Sequence, residues 1–594
     1  MKAFVSINHA DNRKFIETIL LSVLLLILTS CLQPKPAPPT STPAPTPTLP
    51  PLAREVDVEK GAIKILIASD PPSFNAYLND SGYEALIGEL VYSALAEIGH
   101  DGNYYPELAV DLPTLDNGGL SKDGLTVVWR LKPEVVWSDG TPFSSADVRY
   151  TWQSLRDSGI WAPGFDLITD VETPDPHTVM VHYRQFYPNY LLQFGGLGMG
   201  VFPAHYCGDT KKMLSWDCNQ KPISTGPFLL GEWVPGVRLT FVPNSRYFVP
   251  HRPLATQLVL QIEPDPKLRQ RILERGNAHL DLWPEGQFLK RLERNPNVYL
   301  YATEPARYVL SLIPNFSKVG NPTEQNPMLA DVRVRQAIFQ AIDVERLNRK
   351  AFEGRGRPVQ SEFGQVGCFI QPYYYDPGIA QALLDQAGWK LVDPKEKVRR
   401  CVGCTTAPEG TPFILKSYSY EELGKSLQDA YKLIEEMLGR VYIKLDRQTV
   451  EGGKLWGTWH DNGIELRGNF DLNLWDDGYF GVDPTIHLAD FFDPRAIPTR
   501  DNPIAGLNVG RYNNPKLMDI FDALYTPLPN SRRQVLLCEL ASILHQDLAH
   551  MPLLALPDFY AIHRTLAGIT PHIYDTVTWN VADWQIVPLP EQYP

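Results

Sequence analysis

Nine of the eighteen residues at 34–51, PKPAPPTSTPAPTPTLPP, are proline, and this run decides where folding can begin. Proline fixes φ and lacks the amide hydrogen that helix interiors and central strands need. The Thr, Ser and Ala between the prolines offer no apolar face to bury. The segment therefore reads as an extended spacer, roughly 50 Å long at ~3.1 Å per residue. Any core must be built from about residue 60 onward. More than 500 residues remain, in a chain that is 44% hydrophobic and 11% aromatic, too many for one ordinary core, so two or three lobes are expected.

Upstream, Lys2, Arg13 and Lys14 precede an apolar run at 19–28. A run of about ten residues has the length of a signal-peptide core and is too short to span a bilayer. Leu28, Thr29 and Ser30 stand directly before Cys31, an order that resembles a bacterial lipobox, in which the cysteine is acylated. The formal charge of −13 argues against nucleic acid or an anionic membrane surface as partner. Six further cysteines, an even number, suit disulfide pairing in an exported chain. Cys207 with Cys218 is the first expected pair, because the loop between them is short and polar. Cys401 and Cys404 form a lone CxxC, which suits a disulfide or free thiols better than zinc.

Strand patterns appear at 65–70, 126–132, 177–183 and 237–242. Val127, Trp129 and Leu131 share one side of the second, and Val179, Val181 and Tyr183 one side of the third. Helices are expected after Ser144, with Asp147 three residues on and Val148, Trp152 and Leu155 on one face. Another follows Asp376-Pro377, carries Ala380, Leu383, Leu384 and Ala387, and stops at Gly388. A third occupies 331–343, with Arg333, Arg335 and Gln336 off its apolar stripe, and a last one runs over 531–547. The elements alternate without an internal repeat, which gives a mixed α/β class.

A search for chemistry returns little. GxSxG, HExxH and GxxxxGK[ST] are absent. GGLGMG at 195–200 fails GxGxxG and reads as a flexible crossing between lobes. His177/His182 and His545/His550 lie five apart, which does not place two rings side by side on a helix, so ordinary core or surface histidines are expected. Asp471, Asp476, Asp477 and Asp483 form the densest carboxylate cluster near aromatics. No catalytic residue, metal or cofactor is expected.

The run WRLKPEVVWSDGTPFSSADVRYTW at 129–152 resembles the family 5 extracellular solute-binding proteins, the oligopeptide and dipeptide receptors of ABC importers. ASDPPSFN (68–75), NYYPELAVD (103–111), ISTGPFLLGEWVPGVRLTFVPNSRYF (223–248), YVLSLIPN (308–315) and YDPGIAQALLDQAGW (375–389) resemble further blocks of that family, in its order. The resemblance implies an α/β, two-lobed periplasmic-binding-protein-like clamp (type II, cluster C-like) with an extra subdomain. In that scheme residues 1–30 are a lipoprotein signal peptide and 31–59 a tether. Residues 60–80, 205–305 and 556–594 make lobe I, 81–204 the extra subdomain, and 306–555 lobe II. The implied function is a monomeric receptor, lipid-anchored through Cys31 outside the cytoplasm, that closes on a peptide or other small polar solute and delivers it to permease subunits.

In peptide-binding members an Asp four residues before the Pro of an Asp/Glu-Pro pair holds the solute's amino group. Anchored on Asp483-Pro484, that position is Phe480. Asp476 and Asp477, beside Trp475 and Tyr479, are the expected replacements, a carboxylate next to aromatic faces being suited to a cation. Phe74 and Asn75, in the loop resembling the family's ligand-side loop, and Trp456 and Trp459 complete the expected ligand contacts. An exported hydrolase or sensory module on the same clamp is the alternative; the empty motif search counts against the hydrolase.

Overall fold

Ile63, Ile65, Leu66 and Ile67 are all buried, so the strand Ile63–Ile67 must be covered on both faces, as parallel strands are. In the computed structural model, which describes residues 61–78, 82–197, 199–304, 306–362, 367–421, 423–478 and 481–589, this strand pairs in parallel with Leu258–Ile262 and Leu280–Asp281. It is the centre of a seven-stranded sheet in the order Val298–Ala302, Phe559–His563, Leu280–Asp281, Ile63–Ile67, Leu258–Ile262, Arg238–Pro243, Phe228–Val234. Cys31, the expected lipidation site, and Tyr479, an expected ligand contact, lie outside the described residues.

A separate three-stranded sheet orders Thr126–Arg130, Thr178–Tyr183 and Ile168–Asp175. Its alternating Val127, Trp129, Val179, Val181 and Tyr183 are buried. Helix Ser145–Ser158 lies against it, opened by a reciprocal capping box between Ser144 and Asp147. Asp147 also accepts from the Trp137 indole (3.3 Å) and from the Ala204 amide (2.9 Å), tying the turn 137–143 to the helix start. The apolar side chains of this sheet and of the seven-stranded sheet form one continuous core, so the segment is an outgrowth of the first lobe with no core of its own.

The second core lies between residues 310 and 554. Its sheet orders Arg357–Pro358, Met551–Leu556, Tyr308–Pro314 and Leu472–Gly478. A parallel pair, Ile414–Tyr420 with Lys444–Val450, lies beside it. The chain at 471–473 reaches that pair through one backbone bond, the Asp471 amide donating to the Lys416 carbonyl at 2.8 Å, and through side chains: Asp471 accepts from the Lys416 amide and Asn473 from the Tyr418 amide, both at 2.8 Å. These buried acceptors occupy the places that backbone carbonyls would take in a continuous sheet. Helices Thr485–Phe492, Lys516–Leu524 and Asn530–Asp547 make a smaller adjoining core.

The chain passes between the two cores at 303–307 and again at 556–558. The passages are stapled side by side, the Thr303 amide donating to the Asp558 carbonyl and the Asp558 amide to Thr303 Oγ1, both 3.0 Å. Ile486, from the second half, packs against the first core.

Two expectations change. Arg335 is not on a polar face: it is 4% exposed, its guanidinium donating to the carbonyls of Leu329, Ala330 and Asp547 at 2.6–2.9 Å. Helical spacing assigns a face but cannot reveal carbonyls that converge on it from elsewhere. GGLGMG is not a free crossing between lobes. A side chain at Gly195 would meet the Ala96 carbonyl at 2.5 Å, and one at Gly200 would meet Tyr92 Cβ at 2.7 Å. The glycines therefore permit close backbone approach. Three disulfides join Cys207 to Cys218, Cys368 to Cys538, and Cys401 to Cys404.

Candidate functional site

Residues directly opposite in an antiparallel pair project to the same face. Tyr308–Pro314 and Leu472–Gly478 pair Val309 with Asp477, Ser311 with Trp475, and Ile313 with Asn473. The alternate residues Leu310, Leu312, Leu472 and Leu474 go into the second core. This register gives one sheet face to packing and the other to a cavity of about 380 Å³, open to solvent, lined by Arg307, Ser311, Glu362, Trp475, Asp477, His487, Phe491 and His550 among others. Asp477 is on the cavity face. Asp476, opposite Leu310, belongs to the other face and is exposed.

Each lining group is held from behind. Glu465, 2% exposed, accepts both from the Trp475 indole and from Asn473 Nδ2 at 2.8 Å, so a buried carboxyl sets the tryptophan plane. Burial pushes that carboxyl up to about 7. Glu362 reaches in from the segment after Arg357–Pro358, its Oε1 accepting from His550 Nδ1 (2.8 Å) and from the Ser311 hydroxyl (3.1 Å). Burial raises the Glu362 carboxyl, but His550 and His487 more than offset it, leaving it below the usual carboxylate range. His487 and Phe491 are one helical turn apart on Thr485–Phe492, with ring centroids 4.8 Å apart. Burial, reinforced by His550, lowers His487 to about 4, so its ring is neutral at physiological pH.

Asp477 faces this group, its Oδ2 3.8 Å from His487 Nε2 and its Oδ1 accepting from the Gly478 amide at 2.9 Å. Burial in the cavity, with the Glu362 carboxylate nearby, pushes it up to about 7. Its side chain keeps 42% of its surface open, which leaves it accessible from the cavity. Phe491 stands edge-on to Trp475, centroids 5.8 Å apart, as a second aromatic wall. Arg307 sits at the crossing, 3.7 Å from Asp558, and donates to the carbonyls of Ile573 and Asp575.

The cavity gathers Trp475 and Asp477 from the expected residues. Phe74 is not brought to it: the ring is fully buried against Trp233 and Phe241. Asn75 is equally enclosed, bonded to Asn219 and to the Tyr77 amide. Both loop residues serve the first core. Trp456 packs on Tyr420 and Trp459 carries Arg467 over its ring, on the same half of the chain but outside the cavity lining. Asp483 is bound to Arg533 at 3.0 Å and Asp471 is a sheet acceptor, so neither is offered to a ligand. Glu362, His487, His550, Ser311 and Arg307 were not among the expected contacts. The only local signal was the spacing of four between His487 and Phe491, which a helix, not among those expected, turns into one face.

The geometry also bears on hydrolysis. Ser311, Glu362 and His550 are in contact, but the carboxylate stands between hydroxyl and imidazole. A serine nucleophile needs the imidazole in the middle. The cavity sets the Asp477 and Glu362 carboxyl groups beside the aromatic faces of Trp475 and Phe491.

A two-lobed α/β clamp with a carboxylate- and aromatic-lined cavity beside its crossing strands defines the class of solute-binding proteins. The model of bacterial extracellular solute-binding proteins, family 5 (Middle), matches residues 103–498, two thirds of the chain, which belongs to this family. The periplasmic binding protein DppA of Helicobacter pylori, in complex with the peptide STSA, shares the fold with a TM-score of 0.63 at 18% identity, covering 89% of this chain and 98% of that one. NikA of Brucella suis, in complex with Fe(III)-EDTA, does so with a TM-score of 0.70 at 18% identity over 87% and 99%. Heme-binding protein A of Haemophilus influenzae is 25% identical over 296 residues, 46% of this chain and 52% of that protein. The chain spans about half the length of the curated relatives it matches.

Proposed function

We propose that the protein is an extracytoplasmic receptor of an ABC importer that captures an amine-bearing, peptide-like solute by lobe closure and passes it to the permease. The observation that carries this reading is Asp477: a carboxylate held near neutrality, open to a cavity, with Trp475 and Phe491 as its walls. A bound ammonium would supply the missing counter-charge and gain both a charge-assisted hydrogen bond and a cation–π face. The family membership and the peptide-bound relative support the solute class. On this reading lobe I is 60–80, 205–305 and 556–594, the extra subdomain 81–204, and lobe II 306–555. The three disulfides are of the kind that persist in an oxidising compartment.

Native mass spectrometry of the purified protein is expected to show an adduct that carries a primary or secondary amine and leaves on denaturation. Conversion of that adduct into products by the protein would overturn the receptor reading.

The anchor belongs to the same proposal. Cys31 is the acylated residue, and 34–51 is the spacer that keeps the clamp within reach of its permease. Cys31→Ser is expected to move the protein from the membrane fraction to the soluble fraction while leaving solute affinity unchanged. Retention of the variant in the membrane fraction would rule out this anchor.

A further inference from the structure

Away from the solute cavity, three acidic side chains from distant parts of the sequence meet. Glu89 comes from helix Tyr83–Val91, Glu97 from strand Ala96–Ile98, and Asp575 from the C-terminal segment. Each presents a carboxylate oxygen, and the three oxygens lie within 4.8 Å of one another. Asp575 is fully buried and Glu89 is 9% exposed.

One oxygen of each is spent on the protein. Thr576 and Thr578 hydroxyls donate to Glu89 Oε2, the second at 2.8 Å. The Leu197 and Thr576 amides donate to Asp575 Oδ1 at 2.6 and 2.7 Å. Glu97 Oε1 accepts from the Ile98 amide at 2.9 Å. The second oxygens, Glu89 Oε1 and Asp575 Oδ2, are buried and receive no amide, hydroxyl or cationic donor among the described residues; what they face is one another's carboxyl group, within hydrogen-bonding reach of Asp575. A buried acceptor without a donor costs free energy, and two beside a third carboxylate cost more.

Among the described residues no lysine or arginine is paired with any of the three. Burial, with the mutual repulsion of these carboxylates, pushes Glu89 and Glu97 well above the usual range. Further titratable groups that act on the three are Glu107, itself raised to about 7 by burial, His572, lowered to about 4, and Tyr247. Lys132 acts on Glu107, and Arg307 donates to the Asp575 carbonyl.

We propose that Glu89, Glu97 and Asp575 form a binding site for one Ca²⁺ ion, which fastens the C-terminal segment to the first lobe. The donor set is all oxygen, the choice of a hard cation, with no nitrogen or sulfur to favour a transition metal. Oxygens within 4.8 Å of one another can share one ion at the ~2.3–2.6 Å of Ca²⁺, whose irregular coordination tolerates a set fixed by the fold, whereas Mg²⁺ demands near-ideal octahedral geometry and keeps several waters. The site does not depend on the identity of the solute.

The test uses the full chain, stripped with EDTA and titrated with Ca²⁺ alone. One equivalent is expected to bind by calorimetry and to raise the melting temperature by about 2–3 °C at saturation. Glu97→Gln is expected to lower Ca²⁺ affinity at least tenfold without lowering the melting temperature of the EDTA form. Crystals of the native chain grown with Mn²⁺ as an anomalous stand-in are expected to place a peak within about 2.6 Å of the three oxygens. No thermal response to Ca²⁺, undiminished binding by Glu97→Gln, or a peak elsewhere would each overturn the site. So would an EDTA form that is stabilised by lowering the pH and indifferent to Ca²⁺, since protons would then be neutralising the carboxylates.

Discussion

Asp477→Asn is expected to weaken binding of an amine-bearing solute at least tenfold, and up to about a hundredfold. The substitution preserves shape and removes the charge, so the loss is that of a charge-assisted hydrogen bond, about 1.5–3 kcal/mol, against 1.36 kcal/mol per factor of ten. Titration calorimetry measures it directly. Asp476→Asn is the matched control and is expected to change little, because the strand register turns that residue to the opposite, exposed face. The pH profile gives a second readout. With its carboxyl raised to about 7, Asp477 is protonated in mild acid, so affinity for a cation is expected to fall as pH drops from 8 to 5.5. His487, lowered to about 4, does not titrate in that window. In the empty protein the sign is reversed for stability: the folded state holds a proton that the unfolded chain releases above pH ~4, so Asp477 contributes less stability as pH rises toward 7. A solute ammonium offsets that loss. Affinity in Asp477→Asn should be flat across the window, and equal affinity and pH dependence in variant and native protein would refute the assignment.

Elements with local punctuation were legible in the sequence. The Ser144–Asp147 capping box, the Asp376-Pro377 helix start and the Val127/Trp129 alternation stand where periodicity and cap chemistry place them. The cavity was half legible. Trp475 and Asp477 share a strand and alternate by two, so any reading that placed that strand at the ligand would bring both. Glu362, His550 and Arg307 join them from irregular segments or strand approaches far away in the chain. No short-range pattern announces such meetings. Phe74 and Asn75 show the opposite failure: an apolar ring and an amide in a loop can as well close a core as contact a ligand, and here the partners Trp233, Phe241 and Asn219 come from more than a hundred residues downstream. Only the tertiary fold decides between the two.

Glu362→Leu is expected to destabilise the protein by about 1–3 kcal/mol, read as a shift of the denaturation midpoint, since removing a buried acceptor leaves its donors unsatisfied. His550, 8% exposed, and the Ser311 hydroxyl would both lose their acceptor. The double variant Glu362→Leu/His550→Leu should recover part of the loss, because no uncompensated donor then remains at Nδ1. Acid supplies a check on sign. The Glu362 carboxyl lies below its ordinary value in the folded state, so its contribution is present above pH ~4.5 and lost as pH falls through the lowered value. Native protein and Glu362→Leu should therefore converge in stability in strong acid. The same substitution reaches the ligand site, because the Glu362 carboxylate is one of the groups that raise Asp477. With that charge gone, the midpoint of the pH profile for solute binding is expected to move to below 7. A midpoint that stays at about 7 would mean that burial alone sets Asp477, and would separate the stabilising pair from the amine-binding carboxylate.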